Sequence, residues 1–193
     1  MRFIYSDTEG TEMETVETKE RIEVMLSAEE IDKRLEELAE EIYKDFGDEP
    51  VEMICTLKGA VVVMVDLAKK MKMPVHMHFM SVSSYGNGTE SSGVIDVKMD
   101  LDESILGRNV LIVEDIIDSG RTLSHLRDLL LSRGPEKLKI VTLLNKPERH
   151  VVDVPVDYIG FTIPDAFVVG YGLDYAQKYR NLPYVGVVHF DED

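Results

Sequence analysis

The segment 110–123, VLIVEDIIDSGRTL, constrains the fold more than any other stretch of the chain. It opens on an apolar run, Val110 to Val113, then passes the acids Glu114 and Asp115 to reach a third, Asp118. Ser119, Gly120, Arg121 and Thr122 follow, and a helix-like pattern continues beyond them. An apolar strand, a turn of small residues and a helix together make an anion site. The first N–H groups of a helix have no partner within it, and the positive end of its dipole favours a phosphate. Ser119, Gly120 and Thr122 keep the turn narrow, and the two hydroxyls add donors. Glu114 and Asp115 suit sugar hydroxyls or a hydrated Mg2+. One loop therefore offers a phosphate cradle beside an acidic pair, which fits a phosphorylated sugar.

Around this unit, strand and helix patterns alternate. Residues 21–26 read as a short strand. Ser27 and Glu30 form the capping box S-x-x-E, and Ile31, Leu35, Leu38 and Ile42 carry an amphipathic helix to about Phe46. Residues 51–57 read as a buried strand, Lys58-Gly59 as a turn, and 60–71 as a second helix. A strand over 75–82 runs into Ser84 and Tyr85. Another over 94–99 returns after the polar, glycine-rich segment 86–93, as in a long antiparallel hairpin around a mobile loop. The signature helix ends near Gly134-Pro135, and 138–144 and 158–162 are further strands. This alternation predicts an α/β fold with a mostly parallel central sheet flanked by helices. Such sheets bind ligands at the carboxyl ends of their strands, where Lys58-Gly59, Glu114 to Thr122 and Lys146 fall.

At 193 residues the chain suits one domain with a substantial core. Residues 1–20 are expected to be an acidic, mobile extension, and 21–193 the single domain. No apolar run approaches the ~20 residues of a membrane helix, and the N-terminus lacks the basic-then-apolar pattern of a secretory signal. The single cysteine, Cys55, lies in an apolar run, which predicts a buried, inert thiol and a reducing, cytoplasmic setting. A net charge of −16 argues against a nucleic-acid partner. It does not argue against small phosphorylated substrates, provided the few cations are local and a metal helps.

The string 110–123 resembles, almost contiguously, the phosphoribosyl-pyrophosphate (PRPP) signature of the type I phosphoribosyltransferases, and is close to their hypoxanthine-guanine branch. The segment 163–186, IPDAFVVGYGLDYAQKYRNLPYVG, resembles the purine-binding hood of that branch. With Leu57-Lys58-Gly59, the SSYG at 83–86 and Lys146, the resemblance runs from about Ile22 to the C-terminus in family order. It implies the type I fold, with a small hood from the N- and C-terminal segments and a long flexible hairpin loop. The implied function is purine salvage: transfer of 5-phosphoribosyl from PRPP to a 6-oxopurine with Mg2+ as cofactor, in a homodimer or homotetramer.

The resemblance also implies roles. Glu114 and Asp115 would hold the ribose hydroxyls, directly or through Mg2+, and Asp118 to Thr122 would wrap the 5-phosphate. Asp118 would lie near purine N7 as the catalytic acid–base group. Leu57, Lys58 and Gly59 would bind pyrophosphate, often across a cis peptide between the first two, and Arg180 would contact it too. Ser84 and Tyr85 would belong to a lid. Lys146 would read the purine 6-oxo group, Phe167 would stack on the ring, and backbone groups of Val168 and Asp174 would read its 2-position edge. Asp174 would also help bind a second Mg2+. Ala166 departs from members that carry lysine there, and a family arginine near pyrophosphate could match Arg149 or His150.

Other readings stay open at this level. A PRPP- or nucleotide-binding regulator shares the fold, although no DNA-binding segment is visible. An acid-loop phosphohydrolase would carry D-x-D, whereas this chain has E-D-x-x-D. His76 and His78 share a strand face, which reads as structural rather than as a metal pair. GYGLDY at 170–175 lacks the third glycine of a dinucleotide fingerprint.

Overall fold

The computed structural model describes residues 19–84 and 95–191. The elements run β1 (Lys19–Leu26), α1 (Ala28–Phe46), β2 (Val51–Thr56), α2 (Val61–Ala68), β3 (Val75–Ser84) and β4 (Ile95–Met99). They continue with β5 (Asn109–Ile117), α3 (Arg121–Leu131), β6 (Lys137–Asn145), β7 (Tyr158–Thr162), β8 (Val168–Val169) and β9 (Val185–Asp191). A six-stranded sheet has the order β4-β3-β2-β5-β6-β7, and a three-stranded sheet the order β1-β9-β8. In the large sheet only the β3–β4 pair is antiparallel. The expected α/β class with a mostly parallel sheet is what the chain adopts. Tyr85 and the expected loop 86–93 lie outside the described residues, as do residues 1–18.

Strand alternation explains the two-sided core. Met53, Cys55, Leu111, Val113 and Val141 face α1 and α2. Ile54, Val110, Ile112 and Ile140 face the other way, onto Leu123, Leu126 and Leu130 of α3. A parallel strand covered on both faces must be apolar throughout, which is why β2 and β5 read as near-continuous hydrophobic runs. Helix α1 begins at the expected capping box: Ser27 Oγ accepts from Glu30 N at 3.2 Å, and Glu30 Oε2 from Ser27 N at 2.8 Å.

Several boundaries differ from the sequence reading. β2 stops at Thr56, before Leu57, where the chain turns through a cis Leu57–Lys58 peptide. α2 ends at Ala68 rather than Met71, and the chain leaves it through tighter turns, with Lys70 N donating to Leu67 O at 2.9 Å and Met71 N to Ala68 O at 3.2 Å. β5 runs through both acids to Ile117, since its ladder to β6 continues from Glu114↔Thr142 to Ile117↔Asn145. Of the small sheet only β1 was read as a strand; β8 and β9 were not, although the hood was assigned to the N- and C-terminal segments. Lys19 and Glu20, assigned to the N-terminal extension, belong to β1.

At the amino ends of the strands, His76 and His78 serve structure. Their ring nitrogens lie 3.1 and 2.7 Å from the buried Glu52 carboxylate. Burial pushes the Glu52 carboxyl up, but hydrogen bonds to His78 and His76 outweigh it and leave it below the usual range.

Candidate active site

After β2 the chain leaves toward α2 on one face of the sheet; after β5 it leaves toward α3 on the other. Their departing loops therefore part, and a crevice opens between the carboxyl ends of two adjacent strands. Ligands of open α/β sheets bind at such a switch point. The crevice, about 150 Å³, is lined by Thr56, Glu114, Ile116 to Gly120, Thr122 and Leu123. A larger hollow of about 520 Å³ lies between α1 and α2. Its Lys69 and Lys70 are already paired with Asp66, Asp32 and Glu36. It offers no uncommitted chemistry, so the crevice is the candidate site.

The acidic pair forms its floor. Glu114 is buried, and both of its oxygens accept from Thr56 Oγ1, at 3.2 and 3.0 Å. Burial, with the neighbouring Asp115, pushes its carboxyl up to about 8. Asp115 is pushed up as well, chiefly by burial; backbone hydrogen bonds and Arg180 pull it down, and Asp174 adds to the rise. Two desolvated acids side by side favour cations or hydroxyl donors as guests. Among the described residues no group of three or more His, Cys, Asp or Glu side chains could hold a metal alone. The hard oxygens of Glu114 and Asp115 suit Mg2+ nonetheless, because Mg2+ commonly takes one or two carboxylates and completes its shell with water and substrate phosphate.

The turn between β5 and α3 is tight. Gly120 caps α3 in the left-handed region, with φ +77°, and no side chain caps the helix. A Cβ on Gly120 would lie 2.5 Å from Val152 O, so the tight turn needs glycine twice over. Arg121 N donates to Ser119 Oγ at 3.4 Å. Asp118 Oδ1 accepts from Arg149 Nε at 3.0 Å.

Across the crevice, Gly59 packs directly on Asp115. A Cβ there would sit 1.7 Å from Asp115 Oδ2. Gly172, with φ +99°, closes over Gly59 in turn: its Cβ would meet Gly59 O at 2.1 Å. The loop 174–180 thus meets the Lys58-Gly59 turn. Arg180 donates from Nη1 to Gly172 O at 2.7 Å and pairs through Nη2 with Asp174 Oδ1 at 2.5 Å. Its buried Nε has no partner among the described residues, which leaves a donor for an anion. Asp174 Oδ2 accepts from Gln177 N at 2.8 Å, and Gln177 Oε1 from Lys58 Nζ at 3.2 Å. Ala176, Gln177 and Tyr179 all hold positive φ, a strained conformation maintained by this web and by hydrogen bonds from Tyr179 and Lys178 to Glu20.

The remaining residues singled out in the sequence lie on other elements. Lys146 follows β6 and is buried; its Nζ donates to Ala166 O at 2.5 Å and lies 3.9 Å from Asp165 Oδ1. An ammonium carries three donors, so it keeps capacity for another acceptor. Phe167 is half exposed and meets Tyr175 edge-on, with ring centroids 5.7 Å apart, while Tyr175 meets Phe190 at 5.2 Å. Val168 is buried in β8. Ser84 ends β3.

The sequence reading missed Thr56, Gly172, Gln177 and the aromatic partners Tyr175 and Phe190. Only the glycines of GYG carried a signal, and it was weighed against a dinucleotide motif rather than against close backbone contact.

This geometry can be set beside known proteins. The family model for the phosphoribosyl transferase domain matches residues 25–176. The chain belongs to that family. It is 52% identical over 178 residues to a hypoxanthine phosphoribosyltransferase of Salmonella typhimurium, covering 90% of this chain and 99% of that protein. A hypoxanthine-guanine phosphoribosyltransferase of Bacillus subtilis is also 52% identical, with 86% and 92% covered. The crystal structure of a Bacillus anthracis hypoxanthine-guanine phosphoribosyltransferase matches with a TM-score of 0.83 at 44% identity, over 89% of this chain and 99% of that one. The chain is thus a type I phosphoribosyltransferase, in fold and in family.

Proposed function

We propose that the protein salvages purines, transferring 5-phosphoribosyl from PRPP to N9 of a 6-oxopurine such as hypoxanthine, guanine or xanthine, with release of pyrophosphate. The observation that carries this reading is the meeting, at one switch point, of a phosphate-type turn, a buried acidic pair and a Gly59–Gly172 turn flanked by Arg180.

In this reading Ser119 to Thr122 hold the 5-phosphate and Glu114 with Asp115 the ribose hydroxyls. Cleaving the anomeric C–O bond leaves positive charge on the ribose ring, which Glu114 and Asp115 offset in their ionised forms, the forms a bound cation favours. Backbone groups of Leu57, Lys58 and Gly59, with the spare Arg180 donor, receive the departing pyrophosphate. Asp118 takes or shares the N7 proton as N9 attacks. Lys146 donates to the 6-oxo group, which a 6-amino group cannot replace, and Phe167 stacks on the ring. Backbone groups of Val168 and Asp174 read the 2-position edge. Mg2+ fits Glu114 and Asp115, with Asp174 a further ligand, and would supply charge neutralisation of the pyrophosphate. The family resemblance assigns Ser84 and Tyr85 to a lid that excludes water.

A homodimer or homotetramer in the cytoplasm accompanies this reading; among the described residues no helix is long and apolar enough to cross a membrane. The transferase names of the relatives speak against the regulatory alternative. The test is pyrophosphate release from PRPP and Mg2+ with a panel of bases. Release with hypoxanthine or guanine, and none with adenine, is expected. Release with no base, or with none of the panel, overturns the reading.

A further inference from the structure

The turn after β6 carries charged residues to which the proposed chemistry gives no role. Backbone hydrogen bonds dock this turn on the phosphate loop: Val151 N and Val152 N donate to Ser119 O, at 3.0 and 3.1 Å, and Lys146 N to Ile117 O at 3.1 Å. Pro147–Arg149 forms a single 3-10 turn, with Arg149 N donating to Lys146 O at 3.0 Å. That turn sends the Arg149 guanidinium back across the loop. Its Nε donates to Asp118 Oδ1 at 3.0 Å, and its Nη1 lies 3.8 Å from Asp165 Oδ2. The other oxygen of Asp165 lies 3.9 Å from Lys146 Nζ. Charges therefore alternate along Asp118, Arg149, Asp165 and Lys146. This line joins the carboxylate assigned to purine N7 to the ammonium assigned to its 6-oxo group.

The Asp118 and Arg149 side chains are 50% and 53% exposed. An ion pair that open contributes little to stability. Its geometric effect is larger. Holding Oδ1 fixes the plane of the Asp118 carboxylate and so the place of its second oxygen. Proton transfer depends steeply on such placement. A guanidinium suits the task because its rigid planar fork addresses two carboxylates from fixed directions, whereas the donors of an ammonium rotate freely.

We propose that Arg149, anchored by Asp165, is a positioning residue that holds Asp118 in place on the N7 edge of the purine. The inference rests on the assignment of Asp118 as the acid–base group, and a double-mutant cycle separates the two. Arg149→Gln, Asp118→Asn and the double variant are compared for kcat and for KM of PRPP, with melting temperatures to show that each folds. Arg149→Gln should lower kcat about 10-fold, mid-range for groups in direct contact, and leave KM for PRPP unchanged. In the Asp118→Asn background it should cost nothing more. Arg149→Lys should recover part of the rate, since the charge remains but the fork is lost. Additive losses overturn the inference, as does a raised KM for PRPP with kcat intact, which would make Arg149 a substrate contact. Asp118→Asn at full rate overturns the Asp118 assignment itself, and the positioning role with it. A slow Asp118→Asn variant with an additive Arg149→Gln removes only the role of Arg149.

Discussion

At the scale of single residues, the account turns on groups whose surroundings do not suit them in the absence of substrate. Lys146 is buried and, among the described residues, its ammonium hydrogen-bonds Ala166 O with Asp165 3.9 Å away, and Glu114 is a buried acid beside another acid. Each gains a partner if a 6-oxopurine and a ribose diol enter. Lys146→Gln should therefore reduce the hypoxanthine-to-adenine ratio of kcat/KM by about 10-fold or more, a buried donor–acceptor mismatch being worth about 1–3 kcal/mol. Steady-state kinetics on both bases checks this. Asp118→Asn keeps the shape and loses the base, so kcat should fall ~10^2–10^4 while PRPP binding is kept. For Glu114 the sign of the pH dependence is fixed. Its carboxyl lies at about 8 in the free folded protein and near ~4.3 in the unfolded chain. Between these values the folded state holds a proton that the unfolded state has lost, so this group lowers stability as pH rises through that window. Glu114→Gln removes the effect. In the absence of Mg2+ and PRPP, its melting temperature should gain on the parent protein's from pH 5 to pH 8. A difference independent of pH would contradict the buried-acid reading.

At the scale of elements, closeness of backbones does the positioning. Gly172 lets the 174–180 loop sit against Gly59, which itself sits on Asp115. Gly172→Ala should cost stability on the order of 1–3 kcal/mol through its positive φ, and should also raise KM for PRPP by displacing Gly59. Gly107→Ala provides the control: its φ is +66°, yet a Cβ there meets nothing within 4 Å. It should share the stability loss and leave KM unchanged, as thermal melts and kinetics can show. This contact was not legible in the sequence, because GYG reports conformational freedom but not what approaches it. The extent of β5 was hidden for a related reason. Glu114 and Asp115 look like a loop by polarity, while their main-chain ladder to β6 is blind to side-chain charge. By contrast, the capping box of α1 and the apolar runs of β2 and β5 were readable. There the side chains themselves make the hydrogen bond or fill the core.

At the scale of the molecule, the order of strands decides where chemistry can occur. The string 110–123 predicted a phosphate site, and the parallel sheet puts the turn of that string at the carboxyl ends of its strands. What could not be read was which loops from distant parts of the chain would share the crevice. Lys58 and Gln177 lie 119 residues apart and hydrogen-bond at 3.2 Å; Lys178 and Glu20 lie 158 apart and do the same. Only three-dimensional folding brings them together, and family resemblance stood in for it. The central claim is that one crevice between β2 and β5 holds the whole of PRPP. A crystal structure of the protein soaked with PRPP and Mg2+ tests it most directly. The account predicts the 5-phosphate on Ser119 to Thr122, the ribose hydroxyls on Glu114 and Asp115, and the pyrophosphate between Leu57–Gly59 and Arg180. Well-defined PRPP bound elsewhere, or with its pyrophosphate away from Gly59 and Arg180, would contradict it.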